Sequence, residues 1–195
     1  VSQSETNLSR ITNRRIIHSI PIYFKVEGEM ILGRPVGMKG EKLEVETLFA
    51  TCINQHLASL IKSIESAGII IDDVIAAPLA ASYAVLTKRH KEVGSILADI
   101  GAGTTSIAVF EEGIPISLET FPFGSSHITN DIALGLQISL DEAENLKLNY
   151  SSDNQKKKLA DIIEARLKDV FELIEAHLKK INRSGLLPAG IVFAG

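Results

Sequence analysis

The sequence predicts an α/β fold, in which a small α+β unit over residues 1–75 precedes a β-hairpin-and-helix unit over residues 76–195. Three observations predict it. Short apolar runs separated by glycine-containing turns follow one another between residues 94 and 121, which is typical of adjacent strands. Apolar residues then recur at helical spacing from Leu159 to Ile181. A last apolar run at 191–194 predicts a buried strand reached by a crossover.

The small unit is predicted to begin with a polar stretch, residues 1–15, that is weakly ordered. Its elements, in chain order, are a strand over 16–26, a loop over 33–40, a strand over 43–50, a helix from residue 53 that Gly68 can terminate, and a strand over 69–76. Pro21 indicates that the first strand lies at a sheet edge or carries a bulge, because proline cannot donate to a strand ladder.

The larger unit holds most of the predicted regular structure. Its elements are a helix over 79–86, strands over 94–99, 105–111 and 114–121, helices over 126–137 and 140–148, a polar connector, a long helix over 159–181 and a strand over 191–194. Gly185 and Pro188 are expected to end the long helix.

Composition and charge limit the possible functions. The 195 residues are 45% hydrophobic with a net charge of −4, which is ordinary globular composition and gives no sign of nucleic-acid binding. A single cysteine, Cys52, excludes an internal disulfide and is typical of a reducing compartment. Cys52 is predicted to begin a helix on which His56 follows one turn later, so it is either half of a thiolate pair or a small buried side chain.

Targeting signals are not evident in the sequence. In these 195 residues we see neither a signal peptide nor a membrane-spanning run. The chain does not begin with Met and ends inside the apolar run IVFAG, so we expect it to be a piece of a longer protein.

The most informative motif is SILADIGAGTTS at residues 95–106, in which an apolar strand runs into Asp99 and a glycine-containing turn. A carboxylate at the strand end can hold a hydrated divalent cation, and Gly101 and Gly103 can expose successive N–H groups to an anion. Thr104 and Thr105 can add hydroxyl donors. The motif therefore suits a phosphate with its metal ion, although a hairpin turn without a ligand is the alternative.

Three weaker motifs follow the first one in the sequence. Gly124 precedes a helix and can approach a phosphate or a ribose, whereas His127 beside it is more often a capping residue than a ligand. Glu144 and Lys147 share a helix face and can grip ribose hydroxyls and an adenine edge, or they form a surface ion pair. Gly195 ends a buried strand, where a nucleotide can lie against bare backbone.

The order of these motifs resembles the actin-like ATPase superfamily and, within it, the bacterial cell-division protein family FtsA. The stretches HSIPIYFKVEG and RPVGMKGEKLEVE resemble its small inserted subdomain 1C, and APLAASYAVL, DIGAGTTSIAV, HITNDIA, AENLK and GIVFAG resemble its later motifs in the same order. The resemblance implies an actin-like (ribonuclease H-like) fold. Residues 1–75 would be the 1C (SHS2-like) subdomain and 76–195 mainly subdomain 2A, with subdomain 2B missing at the short connector.

The resemblance also implies ATP and Mg²⁺ as ligands. The residues that it assigns to the nucleotide are Asp99, Gly101, Gly103, Thr104, Thr105, Gly124, Glu144, Lys147 and Gly195. Asp99 would hold Mg²⁺ through water, and Glu144 and Lys147 would flank the ribose and adenine. Ala77 and Pro78 stand where many relatives carry Glu-Pro, so we expect weak ATPase activity or none.

The function that the resemblance implies is that of a polymerising protein that links the FtsZ ring to the membrane. Its partners would be further copies in a filament, the C-terminal tail of FtsZ, other division proteins through 1C, and the membrane through a C-terminal helix beyond this chain. Nucleic acid is not among them. The location would be cytoplasmic, at the inner face of the cell membrane and the division septum. Two alternatives remain: a PilM-type pilus or secretion assembly adaptor, and a sugar-kinase-like enzyme of the same superfamily.

Overall fold

The computed structural model describes residues 13–31, 33–150 and 157–195, which form seven strands and six helices. The strands are β1 (Arg14–Val26), β2 (Glu29–Ile31), β3 (Leu43–Ile53), β4 (Ser95–Ile100), β5 (Thr105–Glu111), β6 (Ile114–Phe121) and β7 (Ile191–Ala194). The helices are α1 (Asn54–Ser66), α2 (Ala77–Val85), α3 (Lys88–Val93), α4 (Ser125–Leu136), α5 (Leu140–Leu148) and α6 (Lys157–Lys180). The predicted α/β fold class is confirmed. Most of the stretch that the sequence predicts to be weakly ordered, residues 1–12, lies outside the described residues.

A small antiparallel sheet is built around β1, which pairs with β2 on one side and β3 on the other. The register between β1 and β3 shifts between Pro21 and Tyr23, where the sequence predicted an irregular strand. Because β2 pairs only with residues 24–26 of β1, the missing N–H of Pro21 breaks no bond to that strand. The prediction of a bulge at Pro21 is therefore confirmed.

Two predictions for this region are wrong. Cys52 does not begin a helix: it lies in β3 opposite Arg15, and its thiol donates to the Arg15 carbonyl oxygen over 3.8 Å. A thiolate pair with His56 on one helix face is therefore excluded. Residues 69–76 do not form a strand, because they pair with no strand in the described part of the chain, and Ile70 is 87% exposed.

A four-stranded sheet in the order β6-β5-β4-β7 forms the centre of the larger unit. The pairs β4–β5 and β5–β6 are antiparallel, whereas β7 returns after α6 and pairs in parallel with β4. One face of the sheet packs on α6, and the other packs on Leu79 and Leu86 at α2. The apolar stripe predicted for the long helix is confirmed, since Val170, Ile174 and Leu178 of α6 are buried against that sheet.

The helices α4 and α5 pack against α6 beside the sheet. Ile132 and Ala133 of α4, Ala143 of α5 and Leu159 of α6 form their common apolar cluster. Arg166 of α6 ties this layer together, because its Nε and Nη2 donate to both carboxylate oxygens of Asp131 at 2.6 and 3.0 Å. Asp131 therefore has a structural role, because it joins α4 to α6 through Arg166. In the described ranges, no helix has the length and apolarity needed to cross a membrane.

Candidate functional site

The first part of the candidate site is the carboxyl end of β4. Asp99 pairs with Ser106 of β5 on one side and with Ala194 of β7 on the other. Alternation along the strand places Asp99 on the face of Leu97, which is the face that α2 covers. Asp99 is only partly buried, so its carboxylate stands at the sheet edge within reach of solvent and a hydrated cation.

The turn after β4 presents backbone N–H groups to solvent. The N–H of Gly101 donates to the Thr104 carbonyl at 2.9 Å and closes the turn. Ala102, Gly103 and Thr104 are exposed, and within the described residues their N–H groups have no acceptor. Around Gly103 there is open space, because a Cβ built there would meet no atom within 4 Å. Successive free N–H groups in such a turn suit a phosphate.

The two threonines of the motif have different environments. Thr105 is fully buried, and its hydroxyl donates to the Phe123 carbonyl at 2.8 Å, which joins β5 to the segment before α4. Thr104 is exposed at the turn. Of the two threonines assigned to a ligand from the sequence, only Thr104 is exposed to solvent.

The start of α4 lies directly on this turn. The N–H groups of Ser125 and Ser126 donate to the carbonyls of Gly101 and Ala102, both at 2.9 Å. Gly124 is buried, and a Cβ on it would lie 2.5 Å from the Gly101 carbonyl oxygen and closer still to that of Ala102. Only glycine permits this approach. The first amides of α4 are therefore used to hold the turn, and the free amides belong to the turn itself.

His127 has the capping role that the sequence favoured. Its Nδ1 accepts a hydrogen bond from the Gly124 N–H at 3.1 Å, and its ring lies 5.3 Å from that of Phe123. The imidazole therefore stabilises the first turn of α4.

Glu144 and Lys147 of α5 are joined to α4 by a compact polar cluster. Lys147 Nζ lies 2.7 Å from Glu144 Oε2, 2.9 Å from Thr129 Oγ1 and 3.3 Å from the Ser125 carbonyl oxygen. The Thr129 hydroxyl donates to Glu144 Oε2 at 2.6 Å. Hydrogen bonds from Lys147 and then Thr129 lower the pKa of Glu144, so that its carboxylate stays ionised. Thr129 is a member of this site that the sequence did not indicate.

Gly195, at the end of β7, packs beside the turn that follows β4. Its φ of +127° is a conformation that favours glycine, and a Cβ on it would collide with the backbone carbonyl of Ile100. Ile100, Gly101 and Ala102 are therefore contacted by two glycines that lie 71 residues apart in the sequence, Gly124 and Gly195 (195 − 124 = 71). The structure thus brings together the four sequence motifs.

Ala77 lies at the first position of α2, on the face of the sheet that also carries Asp99. It lines a cleft of about 480 Å³ between the two sheets together with Ser106, Thr120, Arg14 and Glu119. The Ser106 hydroxyl is within hydrogen-bond distance of Thr120 Oγ1, at 3.1 Å. Because residue 77 is an alanine, it cannot provide a carboxylate to a water molecule in this cleft.

Comparison with protein-family models gives two matches. A model described as cell division protein FtsA matches residues 96–185, and a model described as the SHS2 domain inserted in FTSA matches residues 1–51. Among curated proteins, the chain is similar to cell division protein FtsA of Pseudomonas aeruginosa, at 30% identity over 94% of this chain and 49% of the relative. It is similar to FtsA of Bacillus subtilis at 36% identity over 92% of this chain and 46% of the relative. The chain thus spans about half the length of the curated relatives it matches.

Comparison with solved structures shows the fold. The chain resembles a PilM-PilN type IV pilus biogenesis complex with a TM-score of 0.72 and 18% identity, over 100% of this chain and 53% of that one. It resembles MreB 5 of Spiroplasma citri bound to AMPPNP with a TM-score of 0.62 and 14% identity, over 73% of this chain and 53% of that one. These neighbours are actin-like, which confirms the actin-like fold expected from the sequence.

Proposed function

The chain belongs to the FtsA family of cell division proteins, and from this premise we propose that it binds ATP with Mg²⁺ at the end of β4 and uses the bound nucleotide to polymerise. One observation carries the proposal. Three segments that are distant in sequence pack backbone against backbone at residues 100–102, and the turn has free N–H groups at residues 102–104. Successive free N–H groups of this kind form a concavity that binds anions such as a phosphate. The solved structure of MreB 5, which shares the fold, is bound to AMPPNP, and this supports a nucleotide as the ligand.

Different residues of the site would contact different parts of the nucleotide. Asp99 would hold Mg²⁺ through water, because a single carboxylate beside a phosphate is a usual arrangement for this ion. Gly101, Gly103 and Thr104 would bind phosphate oxygens, and buried Thr105 would support the turn through Phe123. Gly124 would let the start of α4 pack directly on the turn and so hold the turn in the shape that binds phosphate.

The other end of the nucleotide would lie against the remaining motifs. Glu144, with Lys147 beside it, would face the ribose and adenine. Gly195 would begin the adenosine-binding segment, and its lack of a side chain lets it pack on the backbone of Ile100. The polar cluster is connected to the turn by Ser125, whose N–H binds Gly101 and whose carbonyl binds Lys147. The position of the cluster relative to the turn is therefore fixed through one residue, Ser125.

Hydrolysis of ATP would be slow. Ala77 supplies no carboxylate to orient the attacking water. A protein with a slow ATPase can use the bound nucleotide to select a conformation, and closure of the cleft would set the shape that assembles. The protein would then act mainly as a scaffold.

The cellular role follows from the family. We assign residues 1–75 to subdomain 1C, which would contact the next subunit and other division proteins, and residues 76–195 mainly to subdomain 2A. The full-length protein would link the FtsZ ring to the inner face of the cell membrane, with the FtsZ tail and a C-terminal membrane helix as the two attachments. The sequence spans about half the length of these curated relatives, and both attachments are proposed for the full-length protein.

A PilM-type assembly adaptor is the second candidate, because the PilM-PilN neighbour covers the whole chain, including the small sheet. The curated relatives at 30 and 36% identity favour cell division. Binding of an FtsZ tail peptide rather than an inner-membrane pilus peptide would separate the two. A sugar-kinase-like enzyme is less well supported, because Ala77 offers no catalytic carboxylate. The observation that would support such an enzyme is ATP turnover that depends on an added sugar.

The direct test is calorimetric titration of the full-length protein with ATP·Mg²⁺. We expect Asp99→Ala to weaken binding about tenfold or more with Mg²⁺ present, since a charged hydrogen-bonded contact contributes about 1.5–3 kcal/mol. The two proteins should bind alike when Mg²⁺ is chelated. Asp161→Ala is the matched control, because Asp161 is exposed on α6. Absence of ATP binding by the unmodified protein would mean that the turn is structural only.

A further inference from the structure

Thr129 occupies the centre of the polar cluster between α4 and α5. Its side chain is buried, with 6% of the residue exposed, and its hydroxyl lies between Glu144 Oε2 at 2.6 Å and Lys147 Nζ at 2.9 Å. Thr129 also lies one helical turn after Ser125, whose carbonyl accepts from Lys147 and whose N–H binds the turn at Gly101. A continuous series of hydrogen bonds therefore leads from the phosphate turn through Thr129 to Glu144.

Chemistry and distance together give the directions of the hydrogen bonds in the cluster. An ammonium group only donates and an ionised carboxylate only accepts, so the Thr129 oxygen accepts from Lys147. The Thr129 proton has two acceptors within reach, and Glu144 Oε2 at 2.6 Å is closer than the Ser125 carbonyl oxygen at 3.3 Å. The three N–H bonds of Lys147 are directed to Glu144, Thr129 and Ser125. Lys147 therefore has no N–H left for a ligand while the cluster is intact.

Glu144 is the member that keeps a free position. Both of its bonds go to Oε2, and within the described part of the chain Oε1 has no partner. Glu144 is half-exposed, with 44% of its side chain accessible. A carboxylate oxygen held in a fixed direction at the protein surface is an acceptor for a hydroxyl group of a ligand.

We propose that Thr129 is a positioning residue, which holds Glu144 so that Oε1 accepts a hydrogen bond from a ribose hydroxyl and so makes the site prefer ribonucleotides to deoxyribonucleotides. The inference rests on the proposed function, because it requires a nucleotide at the β4 turn. It gives Lys147 a different role from direct contact with the ligand: Lys147 and Thr129 together orient the carboxylate. Without the Thr129 hydroxyl, Glu144 can turn away from the sugar and accept its hydrogen bonds from water.

The experiment compares the binding of ATP, 2′-deoxyATP and 3′-deoxyATP, each with Mg²⁺, to the full-length protein and its variants by calorimetry. For the unmodified protein we expect at least one deoxynucleotide to bind about tenfold more weakly than ATP, as for loss of a hydrogen bond to a charged group. Thr129→Val should reduce this ratio to about twofold or less, since the valine keeps the volume and removes the hydroxyl. Thr129→Ser keeps the hydroxyl and should restore the ratio.

The outcomes separate this inference from the proposed function. If the unmodified protein binds ATP but does not discriminate against either deoxynucleotide, the inference is wrong and the proposed function stands. The inference is also wrong, and the proposed function stands, if Thr129→Val discriminates between ATP and the deoxynucleotides as strongly as the unmodified protein does. If the unmodified protein does not bind ATP, both are wrong. Thr129→Ala removes the same hydroxyl with less volume, and it replaces Thr129→Val in the comparison should that variant fail to fold.

Discussion

His177 of α6 and Ser117 of β6 are joined across the interface between the long helix and the sheet, where Nε2 of His177 lies 2.8 Å from Oγ of Ser117. The imidazole is 8% exposed, its Nδ1 lies 3.6 Å from Glu119 Oε2, and the ring of Phe121 meets it edge-on at 6.3 Å. Burial lowers the pKa of His177, and Glu119 opposes this change only in part. The helix thus docks on the sheet through a neutral imidazole.

The pKa of His177 leads to a pH dependence of stability. An unfolded chain exposes the imidazole, whose ordinary pKa is about 6.5. Between the lowered folded pKa and this value the unfolded chain binds more protons, so the free energy of unfolding rises with pH. The stability linked to His177 is complete above about pH 6.5 and is lost as the pH falls through the folded pKa.

We expect the melting temperature of the full-length protein to fall on acidification from about pH 7.5 to 5 by more than that of His177→Gln. The glutamine keeps a hydrogen-bonding group near Ser117 and removes the titration. Ser117→Ala is the control: it leaves His177 buried, so it should lower stability at every pH and keep the wild-type pH dependence. Equal pH dependence in His177→Gln and the unmodified protein would contradict the prediction.

Elements that depend on local spacing could be predicted from the sequence. The stripe from Leu159 to Ile181 defines one helix face by its own periodicity, and α6 buries most of that face as expected, although Phe171 of the stripe is 43% exposed. The strands over 105–111 and 114–121 have the predicted bounds. The short helix Lys88–Val93 was not predicted, because its residues are nearly all polar and only Thr87 and His90 at its start form a capping pair.

Elements that depend on a partner could not be predicted from the sequence. Residues 69–76 are apolar enough for a strand, but a strand also needs a neighbour to bind its backbone, and the described residues supply none. Cys52 was placed in a helix because Ile53 fits its stripe, yet β3 continues to Ile53 because β1 extends to Arg14 opposite it. Tertiary pairing decides both cases.

The candidate site was predictable where glycine marks a close approach of backbones. Gly101, Gly124 and Gly195 could be found in this way, and the structure places all three at one turn. Thr129 could not, because its partner Glu144 lies 15 residues away on another helix. Its role depends on the packing of α4 against α5, which has no signature in either segment.

Gly124→Ala should destabilise the protein. A Cβ at this position would overlap the carbonyl oxygens of Gly101 and Ala102, so the turn must move away from α4. We expect a loss of about 1–3 kcal/mol in the free energy of unfolding, as for other overpacked sites, measured by urea denaturation. ATP affinity should fall as the turn is displaced.

Gly103→Ala is the matched control for stability, because a Cβ at Gly103 meets no atom within 4 Å and the residue does not have a positive φ. Its free energy of unfolding should change by less than about 0.5 kcal/mol. If the two alanine variants have the same stability, the close packing of Gly124 on the turn does not exist in solution.

Ala77→Glu should increase the rate of ATP hydrolysis. The position lies at the start of α2, beside the cleft that Ser106 also lines, so a carboxylate there can orient or deprotonate a water molecule. The helix N-terminus also favours a negative charge, so folding should not suffer. We expect kcat of the full-length protein to rise about tenfold or more, measured as phosphate release.

Ala77→Gln controls for side-chain size, since it has the same length without the carboxylate. Only the glutamate variant should gain activity. Equal rates for the two variants would place Ala77 outside the reach of the γ-phosphate.

Met38→Glu should abolish self-assembly if the small sheet contacts the next subunit. Met38 is 53% exposed in the loop after β2, and Val36, Met30 and Leu43 are exposed nearby in the sequence. A new carboxylate in an apolar contact would have to be buried without a partner, which costs several kcal/mol in an interface, about enough to prevent assembly at micromolar concentrations. The fold of a single subunit should be unaffected, because Met38 is half-exposed and belongs to none of the buried core clusters. The measurement is sedimentation and electron microscopy of the full-length protein with ATP, with melting temperature as the folding check.

Leu134→Glu, at a leucine that is 78% exposed on α4, introduces the same charge elsewhere and should still assemble, as should Met38→Leu. Filaments formed by Met38→Glu would show that assembly uses a different surface.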